Sequence, residues 1–97
     1  MAEHAAVIRI ARYQAAAGKR DELLKILQDG TNQIREMEGC FGAQICSSNQ
    51  SSDALVAVSR WASQAAVDNF LTQSASQRAQ LSGLISGQPQ TEHLTSL

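Results

Sequence analysis

Aromatic side chains are scarce: one tryptophan, one tyrosine and two phenylalanines make up 4% of the 97 residues. A chain this short sits near the lower limit of what one hydrophobic core stabilises unaided, and rings are the largest apolar surfaces a core can bury. Much of the 43% hydrophobic content is alanine, so a partner subunit is expected to supply part of the burial. Charge of one sign is missing too. Eight Lys and Arg stand against nine Asp and Glu, a net charge of −1, and the cations are scattered, which excludes the basic stripe of a nucleic-acid binder. No apolar run approaches the roughly 20 residues of a membrane span. The start MAEHAAVIRI has no cationic segment followed by a long apolar one, so it is not a secretory signal. A cytoplasmic protein is expected. Only two cysteines occur, Cys40 and Cys46. On one strand their equal parity would put them on one face, roughly 20 Å apart at about 3.3 Å per residue. A disulfide needs Cα atoms within about 7 Å, so free thiols are expected, as in a reducing compartment. There is no C-x-x-C and no close pair of histidines, and a tetrahedral zinc needs four such ligands; no metal site is expected. Glycine-rich phosphate cradles are absent as well.

What is present has clear periodicity. Residues 5–13, AAVIRIARY, are rich in β-branched side chains and run into the turn-like AAAGK, which predicts a first strand. From Lys19, the residues Leu23, Leu24, Ile26, Leu27, Ile34 and Met37 recur at helical spacing. Asp21 and Glu22 complement the macrodipole in the first turn. Gly30 falls inside this helix at a cost of about 1 kcal/mol relative to alanine; a helix that stops there and restarts after Thr31 is the alternative. Gly39 supplies the stop. GCFGAQICS, 39–47, predicts a second strand, SNQSSD a hairpin loop, and ALVAVSRW, 54–61, a third strand. Ser63 is a good N-cap for a helix over 64–72. After a break at Ser74 comes a last helix over 76–86, closed by Gly87 and Pro89. The tail TEHLTSL alternates and predicts a fourth strand at a sheet edge, while residues 1–4, including His4, are expected to be disordered.

The order β-α-β-β-α-β is that of a ferredoxin-like α+β domain with a four-stranded antiparallel sheet, occupying residues 1–97 as one unit. Two helical regions cover only one face of such a sheet. Yet VIRIA and ALVAV are apolar at odd and even positions alike, so both faces expect burial. A second copy of the chain is the economical cover, giving a homodimer packed sheet to sheet.

The pieces Gly18-Lys19, Glu38-Gly39-Cys40, Trp61-Ala62-Ser63-Gln64-Ala65-Ala66 and the closing run from Leu81 to Pro89 resemble the antibiotic biosynthesis monooxygenase (ABM) family. That resemblance covers nearly the whole chain and implies a dimeric α+β barrel with a pocket between helices and sheet in each subunit. It implies a cofactor-independent monooxygenase acting on quinols or polycyclic phenols, a haem-degrading enzyme, or a member with no assigned activity. The haem-degrading branch keeps an asparagine, a tryptophan and a histidine where this chain has Ala11, Phe70 and Ala79, so haem degradation is disfavoured. The quinol-oxidising branch often keeps a histidine where this chain has Asn69.

Phenol oxidation without a cofactor, with molecular oxygen as co-substrate, needs a base near the hydroxyl and a dry apolar slot. The candidates for contact with the hydroxyl are Asn69 and Tyr13. Trp61, Phe70, Arg9 and Gln44 are the candidates for binding a small aromatic substrate, and His93 is a further polar group able to reach an interior. Each has a plainer alternative. Trp61 in RWASQAAVDNFLTQ either plugs the corner between strand and helix or lines the pocket; Phe70 lies on the apolar stripe; Asn69 is solvated or capping; Arg9 needs a partner if buried; His93 lies on an edge strand. The non-catalytic alternative is a dimeric ligand-binding or scaffold protein of the same fold.

Overall fold

The computed structural model describes residues 6–97; the expectation of disorder at residues 1–4 lies outside them. The elements are β1 (Val7–Gln14), α1 (Arg20–Ile34), β2 (Cys40–Ser47), β3 (Ala54–Trp61), α2 (Gln64–Gln73), α3 (Ala75–Ala79) with a 3-10 turn at Gln80–Gly83, and β4 (Gln90–Thr95). The strands form one four-stranded sheet in the order β2-β3-β1-β4, with every neighbouring pair antiparallel. This is the ferredoxin-like α+β fold. β4 is an edge strand, as its alternating tail predicts. No helix among the described residues is long and apolar enough to cross a membrane.

Register decides which side chains meet the helices. β1 stands against β3 with Val7 opposite Trp61 and Tyr13 opposite Leu55. Odd positions of both strands therefore share one face, because strand side chains alternate. Val7, Arg9, Ala11 and Tyr13 are all buried there, as are Leu55, Ser59 and Trp61. Two apolar clusters grow on this face. One joins Ala11, Tyr13 and Leu55 to Leu23 and Leu27 of α1; the other joins Val7 and Trp61 to Val67 and Phe70 of α2. The opposite face carries Ile8, Ile10, Val56 and Val58, each half-buried.

Three local features differ from the sequence expectation. α1 runs unbroken through Gly30 but ends at Ile34. Its last turn tightens into i→i−3 bonds, Glu36 N–H to Gln33 and Met37 N–H to Ile34, and Met37 packs from the connecting turn onto the second cluster. The final helix stops at Ala79 and its 3-10 turn at Gly83, not at residue 86. Beyond it the backbone pairs with the end of β1: Ala16 N–H bonds Leu84, Ser86 N–H bonds Gln14, and Ile85 bridges Ala15. Those long-range bonds use the groups a continuing helix would need. Finally, β2 is bulged between Cys40 and Gly42. Cys40 stands opposite Trp61 while Cys46 stands opposite Val56, so the bulge sends the two cysteines to opposite faces. Both are free thiols.

Gly39 joins the turn after α1 to α2. Its φ is +85°, and a Cβ there would lie 2.7 Å from Cβ of Ala66. Glycine is required on both counts. Next to it the backbone of Gly39 accepts a bond from Ala62 N–H at 2.7 Å, and Ser63 caps α2 by accepting Ala66 N–H at 3.2 Å. Together they fix the angle at which α2 lies on the sheet.

Candidate functional site

A cleft of about 440 Å³ opens between α1, the helix-facing side of the sheet and the α2–α3 segment. Ile26, Leu27 and Ile34 of α1 form one wall, Ile45 and Ala57 part of the floor, and Phe70 and Leu81 the other wall. Gly30 also lines it, and a Cβ at that position would meet nothing within 4 Å. Its side-chain-free surface leaves α1 one open patch towards the cleft.

Arg9 and Tyr13 supply the polar floor. They are on one face of β1 with only the methyl of Ala11 between them, which leaves two long side chains room to converge. Arg9 is 6% exposed. Its Nε is buried with no hydrogen-bond partner among the described residues. The guanidinium lies over the Phe70 ring, 5.4 Å from the centroid, a cation–π contact worth about 2 kcal/mol when desolvated. No carboxylate pairs with it: the ion pairs among the described residues are Lys19–Glu22 and Arg20–Asp21, both at the start of α1. Burial pushes the Arg9 guanidinium below the ordinary arginine value; Tyr13 works against this, and nearby Arg78 works with it. Arginine stays protonated near neutral pH all the same. The cleft therefore holds at its floor a positive charge that Tyr13 favours and that no described carboxylate pairs with.

Phe70 has a ring on its other side. Trp61 stacks on it at 5.1 Å between centroids and 21° between planes. Trp61 is fully buried, donates its Nε1–H to Ser59 Oγ at 2.8 Å, and does not line the cleft. Guanidinium, phenyl and indole thus form a column, with Trp61 as the corner plug that holds Phe70 against the cleft.

The other sequence candidates are placed elsewhere. Asn69 is exposed on α2, and its Oδ1 accepts from Gln73 Nε2 at 3.1 Å. Gln44 is exposed on the far face of the sheet, opposite Val58, with Nε2 donating to Cys46 Sγ at 3.5 Å. His93 stands opposite Arg9 in β4 but is exposed, its Nδ1 3.4 Å from Gln64 Nε2. Ala11 is fully buried. Among the described residues no group of three or more His, Cys, Asp or Glu converges to hold a metal ion.

Two residues of the cleft are absent from the sequence candidates. Arg78 of α3 is half-buried and held by two bonds, Nε–H to Ser74 Oγ at 3.1 Å and Nη2–H to the Leu71 carbonyl at 2.6 Å. Gln77 donates to Gln33 Oε1 at 2.8 Å and so ties α3 to α1 across the rim. The i,i+4 spacing of Ser74 and Arg78 is the one sequence signal that points inward. A second cleft of about 370 Å³ opens beyond α3 and shares Arg9, Tyr13, Arg78 and Leu81 with the first.

The family model of the antibiotic biosynthesis monooxygenases matches residues 6–81. No curated protein matches the chain in sequence. Among solved structures it is similar to Rv0793 from Mycobacterium tuberculosis, with 25% identity over 94% of each chain and a TM-score of 0.86. It is also similar to PA3566 from Pseudomonas aeruginosa, with 18% identity, 100% of this chain and 99% of that one covered, and a TM-score of 0.84. A crystal structure described as an antibiotic biosynthesis monooxygenase shares the fold at 12% identity and a TM-score of 0.84, covering 94% of this chain and 98% of that one. The strand order, the glycine-hinged corner at Trp61 and the family match over residues 6–81 agree, and the chain belongs to the antibiotic biosynthesis monooxygenase family.

Proposed function

We propose that the protein is a cofactor-independent monooxygenase, acting as a homodimer, that oxidises a small aromatic quinol or polycyclic phenol with molecular oxygen. The observation that carries this is the buried polar pair Arg9 and Tyr13 at the floor of a cleft with apolar walls of Ile26, Leu27, Ile34, Phe70 and Leu81. The Tyr13 hydroxyl contacts the oxygen of the substrate, and the fixed charge of Arg9 stabilises the anion formed when the substrate passes its proton to water in the open cleft, a proton that the peroxide later takes back. Electron density from that anion reaches a ring carbon, which bonds one atom of O2. The hydroperoxide so formed loses water, taking the second oxygen atom with two substrate hydrogens, and leaves a carbonyl on the ring. Phe70, backed by Trp61, holds the ring plane. Asn69 and Gln44 stand outside the cleft and are assigned no step.

Oxygen uptake across a panel of quinols and anthrones tests the proposal. At least one member is expected to consume oxygen, with kcat/KM falling about tenfold or more in Tyr13→Phe and Arg9→Met, the scale of a lost charge-assisted contact in the transition state. Asn69→Ala and Gln44→Ala are expected to stay within about twofold, the size of a neutral surface change. Silence across the panel contradicts the proposal. A second reading, ligand binding without turnover, is favoured by the lining itself: among the described residues Asp29 at the solvent-exposed rim is its one carboxylate, and no histidine lines it. Quenching of Trp61 fluorescence by a phenol, with no oxygen uptake, would select that reading.

A further inference from the structure

Two arginines are near enough for the charge of Arg78 to act on Arg9. Arg9 and Arg78 both line both clefts. Arg9 is 6% exposed, with a buried Nε that finds no partner among the described residues. Arg78 is fixed in place by Ser74 and Leu71, a hydroxyl and a carbonyl that bind it without cancelling its charge. Among the described residues the second cleft has no acidic residue in its lining, and the first has only Asp29 at the exposed rim. Two cations lining the same clefts repel each other, and Arg9, which is buried, has lost most of its hydration as well. Such an arrangement is unfavourable in the empty protein and becomes favourable when an anion lies between the two. A ligand whose charge only develops during reaction would leave that cost unanswered in the bound ground state.

We propose that the cleft selects an aromatic ligand that already carries an anionic oxygen group, with Arg9 and Arg78 holding that group and the ring lying along Ile34, Ile45 and Phe70. This deepens the reading of the same cleft, and it needs the cleft but not the oxidation. A carboxylate and an acidic phenol ionised in solution share the required chemistry. A planar oxyanion accepts donors from a guanidinium fork, whereas a neutral amide of the same shape offers one carbonyl and brings an N–H into a donor-rich site.

Calorimetric titration of the whole protein with matched probes tests this. At pH 7, 2-naphthoate is expected to bind at least about tenfold more tightly than neutral 2-naphthamide, as for a charge-assisted pair. Arg9→Met and Arg78→Gln, each checked by circular dichroism, should bring that ratio to about one, and Arg9→Lys, which keeps the charge, should retain part of it. In a second arm 4-nitrophenol is titrated on either side of its own ionisation. Tight binding of the ionised form alone identifies an acidic phenol as sufficient; naphthoate selectivity without it assigns the site to carboxylates. The proposal is overturned if wild type binds naphthoate and naphthamide equally, if the preference survives in both charge-removing variants, or if no probe binds up to millimolar concentration. Naphthoate selectivity without oxygen uptake keeps this proposal and removes the monooxygenase. Turnover of neutral phenols without selectivity does the reverse.

Discussion

A guanidinium taken out of water costs several kcal/mol unless something answers its charge. Arg9 is 6% exposed and has one cation–π contact, one unpartnered Nε and no carboxylate partner among the described residues. The fold carries this cost in the empty state. Arg9→Met keeps the length of the side chain and removes the charge, so it is expected to raise the unfolding free energy of the ligand-free protein by about 1–2 kcal/mol, read from urea midpoints. A destabilised variant would show that Arg9 is a structural residue with a compensation inside the chain. Arg9 was visible in the sequence as the one charge inside VIRIA. Arg78 was not among the sequence candidates, although a helix over 76–86 places it three and seven residues before Leu81 and Ile85, beside the apolar stripe.

At the scale of elements, the corner from α1 to α2 decides how the cleft is shaped. Gly39 approaches Ala66 too closely for any side chain and holds a left-handed φ. Gly39→Ala is expected to cost about 2–4 kcal/mol, from the strained φ and the clash together, and to displace α2. A thermal melt within a few degrees of wild type would show that the corner yields cheaply. The strands and helices with regular periods were legible: β1 and β3 by alternation and β-branching, α1 and α2 by their apolar stripes, Ser63 by its capping chemistry. The illegible parts depend on partners distant in sequence. Nothing local in ISGQPQ tells that Ile85 will bridge Ala15, and nothing in GCFG announces the bulge that separates Cys40 from Cys46. Gln44 shows the consequence, because its position on the far face follows from the pairing with Val58 beyond that bulge.

For the whole molecule, the open face of the sheet is the unresolved surface. Ile8, Ile10, Val56 and Val58 form a band there with no element of the described residues over it, since both apolar clusters lie on the helix side. Sheet-to-sheet pairing of two copies is the cover that a ferredoxin-like chain of this length can supply. Ile10→Asp is expected to shift the protein from dimer to monomer at micromolar concentration in light scattering; a wild-type monomer would remove the homodimer from the proposal. The same scale holds the functional claim, because the two arginines, the tyrosine and the stacked aromatic pair come from four different elements and only meet in the folded chain. Turnover in an atmosphere of ¹⁸O2 tests it most directly. A quinol or anthrone incubated with the protein is predicted to gain one labelled oxygen atom, with the other recovered in water, and Tyr13→Phe is predicted to slow that gain. Product without label, or no product from any member of the panel, would contradict the monooxygenase.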